Sequence, residues 1–222
     1  MARLLRHARC AVTLVVAIDG PGGAGKSTVS RLVAEELGAG HLDTGAFYRA
    51  ATLAVLEEGA DPEDGEAVVA AVTGRSFDQR DGHMFLDGRD VSRAIRDEAV
   101  TAAVSAVSAH PELRRRMVEA QREWVARADR SAVVEGRDIG TVVFPQADLK
   151  IFLDADPAVR AARRSGELGQ AVAEVAAALD RRDRLDSNRA ASPLRPADDA
   201  IVIDTTDLPV EEVVARILSH LH

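Results

Sequence analysis

Cysteine, lysine and asparagine are nearly missing from this chain of 222 residues. One cysteine, Cys10, excludes a disulfide framework and any cysteine-built zinc cluster. A reducing setting, the cytoplasm, is therefore expected. Lysine occurs only at Lys26 and Lys150, against 26 arginines. Each lysine is thus a candidate for chemistry that needs a compact ammonium, while arginine clusters carry less information than usual. Asparagine occurs only at Asn188, tyrosine only at Tyr48 and tryptophan only at Trp124. No apolar run approaches the roughly 18 residues of a membrane span. An excess of basic charge is also lacking: 28 Lys and Arg face 36 Asp and Glu, for a net charge of -8. That argues against a general nucleic-acid binder. What the chain does have is a 46% hydrophobic fraction with 29% charged residues, enough for the packed core of one medium domain.

The first stretch imitates an export signal. Arg3, Arg6 and Arg9 precede the apolar run Ala11 to Ile18. The run passes straight into Asp19-Gly20-Pro21-Gly22-Gly23 with no small-residue cleavage site. Residues 1–10 therefore read as a loose extension and 11–222 as a single domain. Val12 to Ile18 reads as a buried parallel strand. Lys26 to Leu37 has helical apolar spacing, ended by Gly38 and Gly40. His41 to Asp43 is a short strand. Thr44, at the expected N-cap, opens a helix to about Glu58. Residues 62–72 read as helical. Arg75 to Gln79 and His83 to Leu86 flank Arg80-Asp81-Gly82, a hairpin signal, with a second turn at Asp87 to Asp90. Phe77 and Phe85 are expected in the core of this small sheet.

Helices are expected at about 93–109, 111–128 and 171–185, and one from Pro157. Ala132 to Glu135, Leu149 to Leu153 and Ile201 to Ile203 read as buried strands. Pro209 to Leu221 reads as a closing helix. Strands alternating with helices predict an α/β fold with a parallel sheet. Trp124 falls on a helix at the core or its edge. His83, His110, His220 and His222 show no metal spacing.

Gly20, Pro21, Gly22, Gly23, Ala24, Gly25, Lys26 and Ser27 fit the phosphate-binding loop G-x-x-x-x-G-K-[ST], between a strand and a helix. Glycines let backbone N–H groups converge on an anion, and the helix N-terminus adds partial positive charge. Lys26 supplies a point charge between β- and γ-phosphates, Ser27 offers a hydroxyl to Mg²⁺, and Thr28 is expected to bind ATP beside it. A guanine-specific switch needs an Asn-Lys-x-Asp signature, which this chain cannot assemble. A motor would need a strand ending in Asp beside a second carboxylate; Ala132-Val133-Val134-Glu135 is only a partial version. A small kinase with an acceptor region remains.

Leu42-Asp43-Thr44-Gly45-Ala46-Phe47-Tyr48-Arg49 carries the sole tyrosine beside an arginine. Further on come Glu135-Gly136-Arg137-Asp138-Ile139-Gly140-Thr141-Val142-Val143-Phe144-Pro145, Lys150-Ile151-Phe152-Leu153-Asp154-Ala155 and Arg182-Asp183-Arg184-Leu185-Asp186-Ser187-Asn188-Arg189. With these four motifs in order, the chain from about residue 12 to 222 resembles the bacterial cytidylate kinase family. The resemblance implies a P-loop kinase fold: a five-stranded parallel sheet flanked by helices, an inserted NMP-binding region at about 60–100 and a short lid at about 160–170. It implies ATP and Mg²⁺, with CMP and dCMP as acceptors, and a monomer; the charge balance and the lack of a long apolar run exclude nucleic acid and membrane as partners.

A nucleoside monophosphate and a triphosphate bring about six negative charges together, so positioning and charge stabilisation dominate and no general base is needed. The resemblance assigns Arg49, Arg137 and Arg189 to the acceptor phosphate, with Tyr48 nearby. It assigns Ser105, Arg114 and Asp138 to the cytosine edge, with Thr44 close to the base, and Arg182 and Asp186 to the sugar. Arg160 and Arg164 would reach the transferring group from the lid, with Gly166 and Gly169 as hinges. Arg163 and Arg164 read equally as a solvated face. Two alternatives stay open: another small P-loop kinase acting on UMP, AMP or shikimate, and a nucleotide-dependent binding protein.

Overall fold

The computed structural model describes residues 14–128, 130–189 and 192–221; of Leu168 only the backbone is described. The expected extension 1–10 and the first residues of the expected strand 12–18 lie outside the described residues.

Five parallel strands form the main sheet in the order β2-β6-β1-β7-β8. They are β1 (Val15–Asp19), β2 (Gly40–Asp43), β6 (Ala132–Glu135), β7 (Leu149–Asp154) and β8 (Ile201–Asp204). β1 is central because its run of apolar residues is buried on both faces, as a parallel strand covered by helices must be. Its register pairs Val15 with Ala132 on β6 and Val16 with Leu149 on β7. All five strands end in a carboxylate at the same edge: Asp19, Asp43, Glu135, Asp154 and Asp204. In open parallel sheets that edge is where ligands bind.

Alternation along β1 sorts the core into two layers. Val16 and Ile18 meet α1 (Lys26–Leu37) and α8 (Val210–Ser219) through Val29, Val33, Val213 and Ile217. Ala17 faces the other side, where Phe47, Leu113 and Met117 come from α2 (Thr44–Glu57) and α5 (Pro111–Arg127).

The inserted region differs from expectation in three places. First, the helix expected at 62–72 is α3 (Gly65–Val72), because the Asp64 carboxylate accepts from the Glu66 and Ala67 N–H groups and caps it there. Second, the helix expected at 93–109 divides into a 3-10 turn (Ala94–Arg96) and α4 (Glu98–Val107), separated by extended Asp97. Third, the hairpin forms as β3 (Phe77–Arg80) and β4 (His83–Leu86), but Phe85 is not a core residue. Phe77 pairs with Leu86 and Asp78 with Phe85, so Phe85 points to the opposite face, where the Arg80 guanidinium lies 5.0 Å from its ring. Buried Met84 and Leu86 do the packing instead. The second turn returns a third strand, β5 (Arg89–Asp90). Trp124 packs at the edge of the core and donates from Nε1 to the Gln79 carbonyl at 2.7 Å, tying α5 to the insert.

The remaining helices, α6 (Pro157–Leu168) and α7 (Val172–Ser187), form a hairpin beside the carboxylate edge. Residues 160–168 are helical, Gly166 sits inside α6, and left-handed Gly169 (φ 66°) ends it.

Candidate active site

The turn after β1 shows why its glycines are needed. Gly20 has φ 146°, and a Cβ there would lie 2.1 Å from the Leu153 carbonyl oxygen. Gly25, at φ 87°, caps α1 without any side chain, so the first N–H groups of that helix face the cleft uncovered. Gly22, Gly23, Gly25, Lys26, Ser27 and Thr28 line a cleft of about 350 Å³ along the carboxylate edge. Gly20, Pro21 and Ala24, expected in the same site, do not line it. The Lys26 ammonium donates to the Pro21 carbonyl at 2.7 Å. Burial, then the Arg137 guanidinium, holds its basicity well below the ordinary lysine value, against the opposing pull of Glu135.

Ser27 reaches a partner that the motif alone does not reveal. Its hydroxyl donates to Glu135 Oε2 at 2.9 Å, and Glu135 is buried at the end of β6. On Glu135 burial works to raise the pKa, but His41, Lys26 and Ser27 outweigh it and leave the carboxyl below its ordinary value. Asp43 stands nearby on β2, where burial, then Glu135, raises its pKa. Asp43, not Thr44, is the N-cap of α2: its carboxylate accepts from the Ala46 N–H at 3.2 Å. Thr44 is the first helical residue, and its hydroxyl donates to the Glu135 carbonyl at 2.7 Å.

The opposite wall is built from arginines gathered around two acids. Asp186 is buried on α7; Arg137 Nε donates to its Oδ2 at 2.9 Å, Arg189 pairs with Oδ1, and Arg182 lies 4.0 Å away. Burial of Asp186 works against ionisation, yet Arg137, Arg189 and Arg182 hold its pKa below the ordinary carboxylate value. Burial, then repulsion from Arg137, pulls Arg182 down to about 10. Arg137 also donates from Nη1 to the Gly20 carbonyl at 3.0 Å, so it touches both walls. The second acid, Asp138, is a buried partner of Arg114 at 2.7 Å, and the Arg114 guanidinium lies 5.1 Å from the Tyr48 ring. Burial pushes the Tyr48 hydroxyl up to about 12. Arg49 lines the cleft while bonding the Ile95 carbonyl and the Thr101 hydroxyl.

Of the expected site residues, Thr44, Tyr48, Arg49, Arg114, Arg137, Asp138, Arg164, Arg182, Asp186 and Arg189 all line the cleft. Ser105 and Arg160 do not. Ser105 lies on α4 and its carbonyl accepts from Ser108, whose hydroxyl in turn accepts from Arg189 at 3.1 Å; Ser108 is the serine at the cleft wall. Arg160 is buried beneath the phosphate loop, donating to the Gly22 and Ala155 carbonyls and paired with Asp183. Arg96, Ser108 and Glu135 are lining residues that sequence reasoning did not select. Only Glu135 left a signal, as the acid ending an apolar strand.

Among the described residues no cluster of three or more His, Cys, Asp or Glu forms a metal cage. The oxygen set of Ser27, Glu135 and Asp43 fits Mg²⁺, which is held through one or two protein oxygens plus substrate phosphates. No described helix is long and apolar enough to cross a membrane.

Comparison with known proteins gives a consistent picture. Residues 16–222 match the family model described as cytidylate kinase. The chain is 51% identical over 215 residues to a cytidylate kinase of Rhodococcus opacus, covering 93% of each. It is 53% identical over 210 residues to one of Nocardia farcinica, covering 90% of each. In fold alone it is similar to a crystal structure of an uncharacterized protein from Eubacterium ventriosum, with TM-score 0.50 at 12% identity over 94% of this chain and 98% of that one.

Proposed function

The chain belongs to the cytidylate kinase family, a family of phosphotransferases, and from that premise we propose that its cleft moves the γ-phosphoryl group of ATP to CMP and dCMP, giving ADP with CDP or dCDP. The observation that carries the reading is the meeting of a phosphate loop and an arginine clamp in one cleft, bridged by Arg137, which bonds Gly20 on one side and Asp186 on the other.

The exposed N–H groups after Gly25, with Lys26, hold the β- and γ-phosphates of ATP. Ser27 would hold Mg²⁺, with Glu135 accepting the serine hydrogen bond and Asp43 behind it; such an ion would supply positive charge against the donor phosphates. Arg49, Arg137 and Arg189 bind the acceptor phosphate, whose oxygen is already anionic and needs no base. Guanidinium groups suit this task because they present paired donors in a fixed plane. Asp186 keeps Arg137 and Arg189 side by side until the phosphate arrives, and with Arg182 it faces the sugar. Arg114 and Asp138 read the cytosine edge: the guanidinium donates to O2 and N3, and the carboxylate accepts from the exocyclic amine. Thr44, Tyr48 and Ser108 close that end, and Ser105 stands one turn behind Ser108.

The stretch of about 160–170, at the end of α6, serves as the lid, with Arg164 facing the transferring group. Arg160 is a structural support of the phosphate loop. Residues from about 60 to 100 form the acceptor insert. The enzyme acts as a monomer on small molecules in the cytoplasm.

The test is ADP formation from ATP and Mg²⁺ with CMP, dCMP, UMP, AMP, GMP and shikimate offered separately. Stimulation by CMP and dCMP alone is expected. Stimulation by UMP or AMP would remove the roles of Arg114 and Asp138. Stimulation by shikimate would make Asp43 a base for a hydroxyl acceptor.

A further inference from the structure

One histidine outside the family-derived site touches it. His41 sits on β2, half-buried, between α1 and β6. Its Nε2 lies 3.1 Å from Glu135 Oε1 and 2.9 Å from Ser30 Oγ. The other Glu135 oxygen takes the Ser27 hydroxyl at 2.9 Å. A nitrogen facing a carboxylate oxygen must carry the proton, so Nε2–H is shared between Glu135 and Ser30. The Ser30 hydroxyl hydrogen is then free to point at the Ser27 carbonyl, 3.4 Å away. Every hydrogen in this group has one consistent direction.

We propose that His41 is a positioning residue for the Mg²⁺ end of the donor site: by holding Glu135 Oε1, it fixes Oε2 where it takes the Ser27 proton and turns the serine lone pairs toward the cleft. Without His41, buried Glu135 keeps one donor, and its carboxylate can rotate away from Ser27. Partners of this kind, one bond removed from a metal-holding group, orient that group and tune its affinity. The inference rests on reading Ser27 as the residue that holds Mg²⁺, and it predicts an effect on metal retention, not on the cytosine end.

The test uses the full chain with a non-hydrolysable ATP analogue and Mn²⁺ as a paramagnetic probe, counting free Mn²⁺ by its resonance signal. His41→Phe is expected to weaken metal retention about tenfold, while analogue affinity without metal is unchanged. His41→Gln, whose amide nitrogen can donate from the position of Nε2, is expected to retain Mn²⁺. His41→Asn is polar but too short, and is expected to lose it; this variant decides the question if the phenylalanine variant fails to fold. Equal retention in the Gln and Asn variants, or equal loss in both, would overturn the proposal. CMP-dependent ADP formation by the unaltered chain is measured alongside. Its absence would remove the kinase reading while leaving the Mn²⁺ comparison intact.

Discussion

On the donor side of the cleft, most groups facing the ligand belong to the backbone: the N–H groups that follow Gly25 at the start of α1, with Lys26 as the one cation of the loop. On the acceptor side they are side chains: Arg49 from α2, Arg114 from α5, Arg137 from the turn after β6, Arg182 from α7 and Arg189 just beyond it. The donor wall needs few balancing acids: Glu135 opposite Lys26, and Asp183 beneath the loop with Arg160. The acceptor wall holds many like charges at close range and does need them, which is why Asp186 and Asp138 are buried among the guanidinium groups. A backbone site depends on glycine conformations, and a side-chain site on its counter-ions.

Four changes probe that contrast. The largest effect is expected from Lys26→Met, which keeps the buried stem and removes the only loop cation. Turnover should fall about 10²–10³-fold with the fold intact, as judged by thermal unfolding and steady-state rates. Near-normal turnover would remove Lys26 from the mechanism. Asp186→Ala should then show the cost of a missing counter-ion. Arg137 and Arg189 lose their shared partner, so stability should drop by about 3 kcal/mol in denaturant titration, and the KM for CMP should rise. An unchanged midpoint would mean the arginines repel one another less than the geometry implies.

Asp19, at the end of β1, gives the third. It accepts from the Ile139 and Gly140 N–H groups at 2.8 Å each, and burial pushes its pKa up to about 6. A carboxyl raised above its unfolded value stabilises the fold when protonated and loses that contribution as pH rises through about 6. Relative to Asp19→Asn, the unaltered chain should therefore lose about 2 kcal/mol of stability between pH 4 and pH 7. A pH-independent difference between the two proteins would contradict the shift. The smallest change is Asp138→Asn, which keeps the shape beside Arg114 but replaces an acceptor oxygen with a donor. Preference for CMP over UMP should shrink about tenfold in competition assays. An unaltered ratio would move base recognition elsewhere.

The same contrast explains what could be read from the residues alone. The donor loop is contiguous, so its spacing was sufficient. The sheet was legible because four of its five strands, all but β2, are short apolar runs. The acceptor wall is scattered over some 140 residues, so only the motif resemblance collected it. Side-chain direction was hidden. Arg160 and Arg164 are one helical turn apart, yet one supports the loop from below and the other faces the cleft. Ser105 and Ser108 differ in the same way. The link from Ser27 through Glu135 to His41 joins three chain segments and leaves no spacing to detect. Phe85 was misassigned because pairing register, not residue type, decides which face of a hairpin is buried.

The most direct check of two separately built walls is calorimetric titration of ATP and of CMP, each alone, into Lys26→Met and Arg189→Ala. Lys26→Met should weaken ATP binding and leave CMP binding as it was, and Arg189→Ala should do the reverse. Comparable loss of both ligands in both variants would contradict the account.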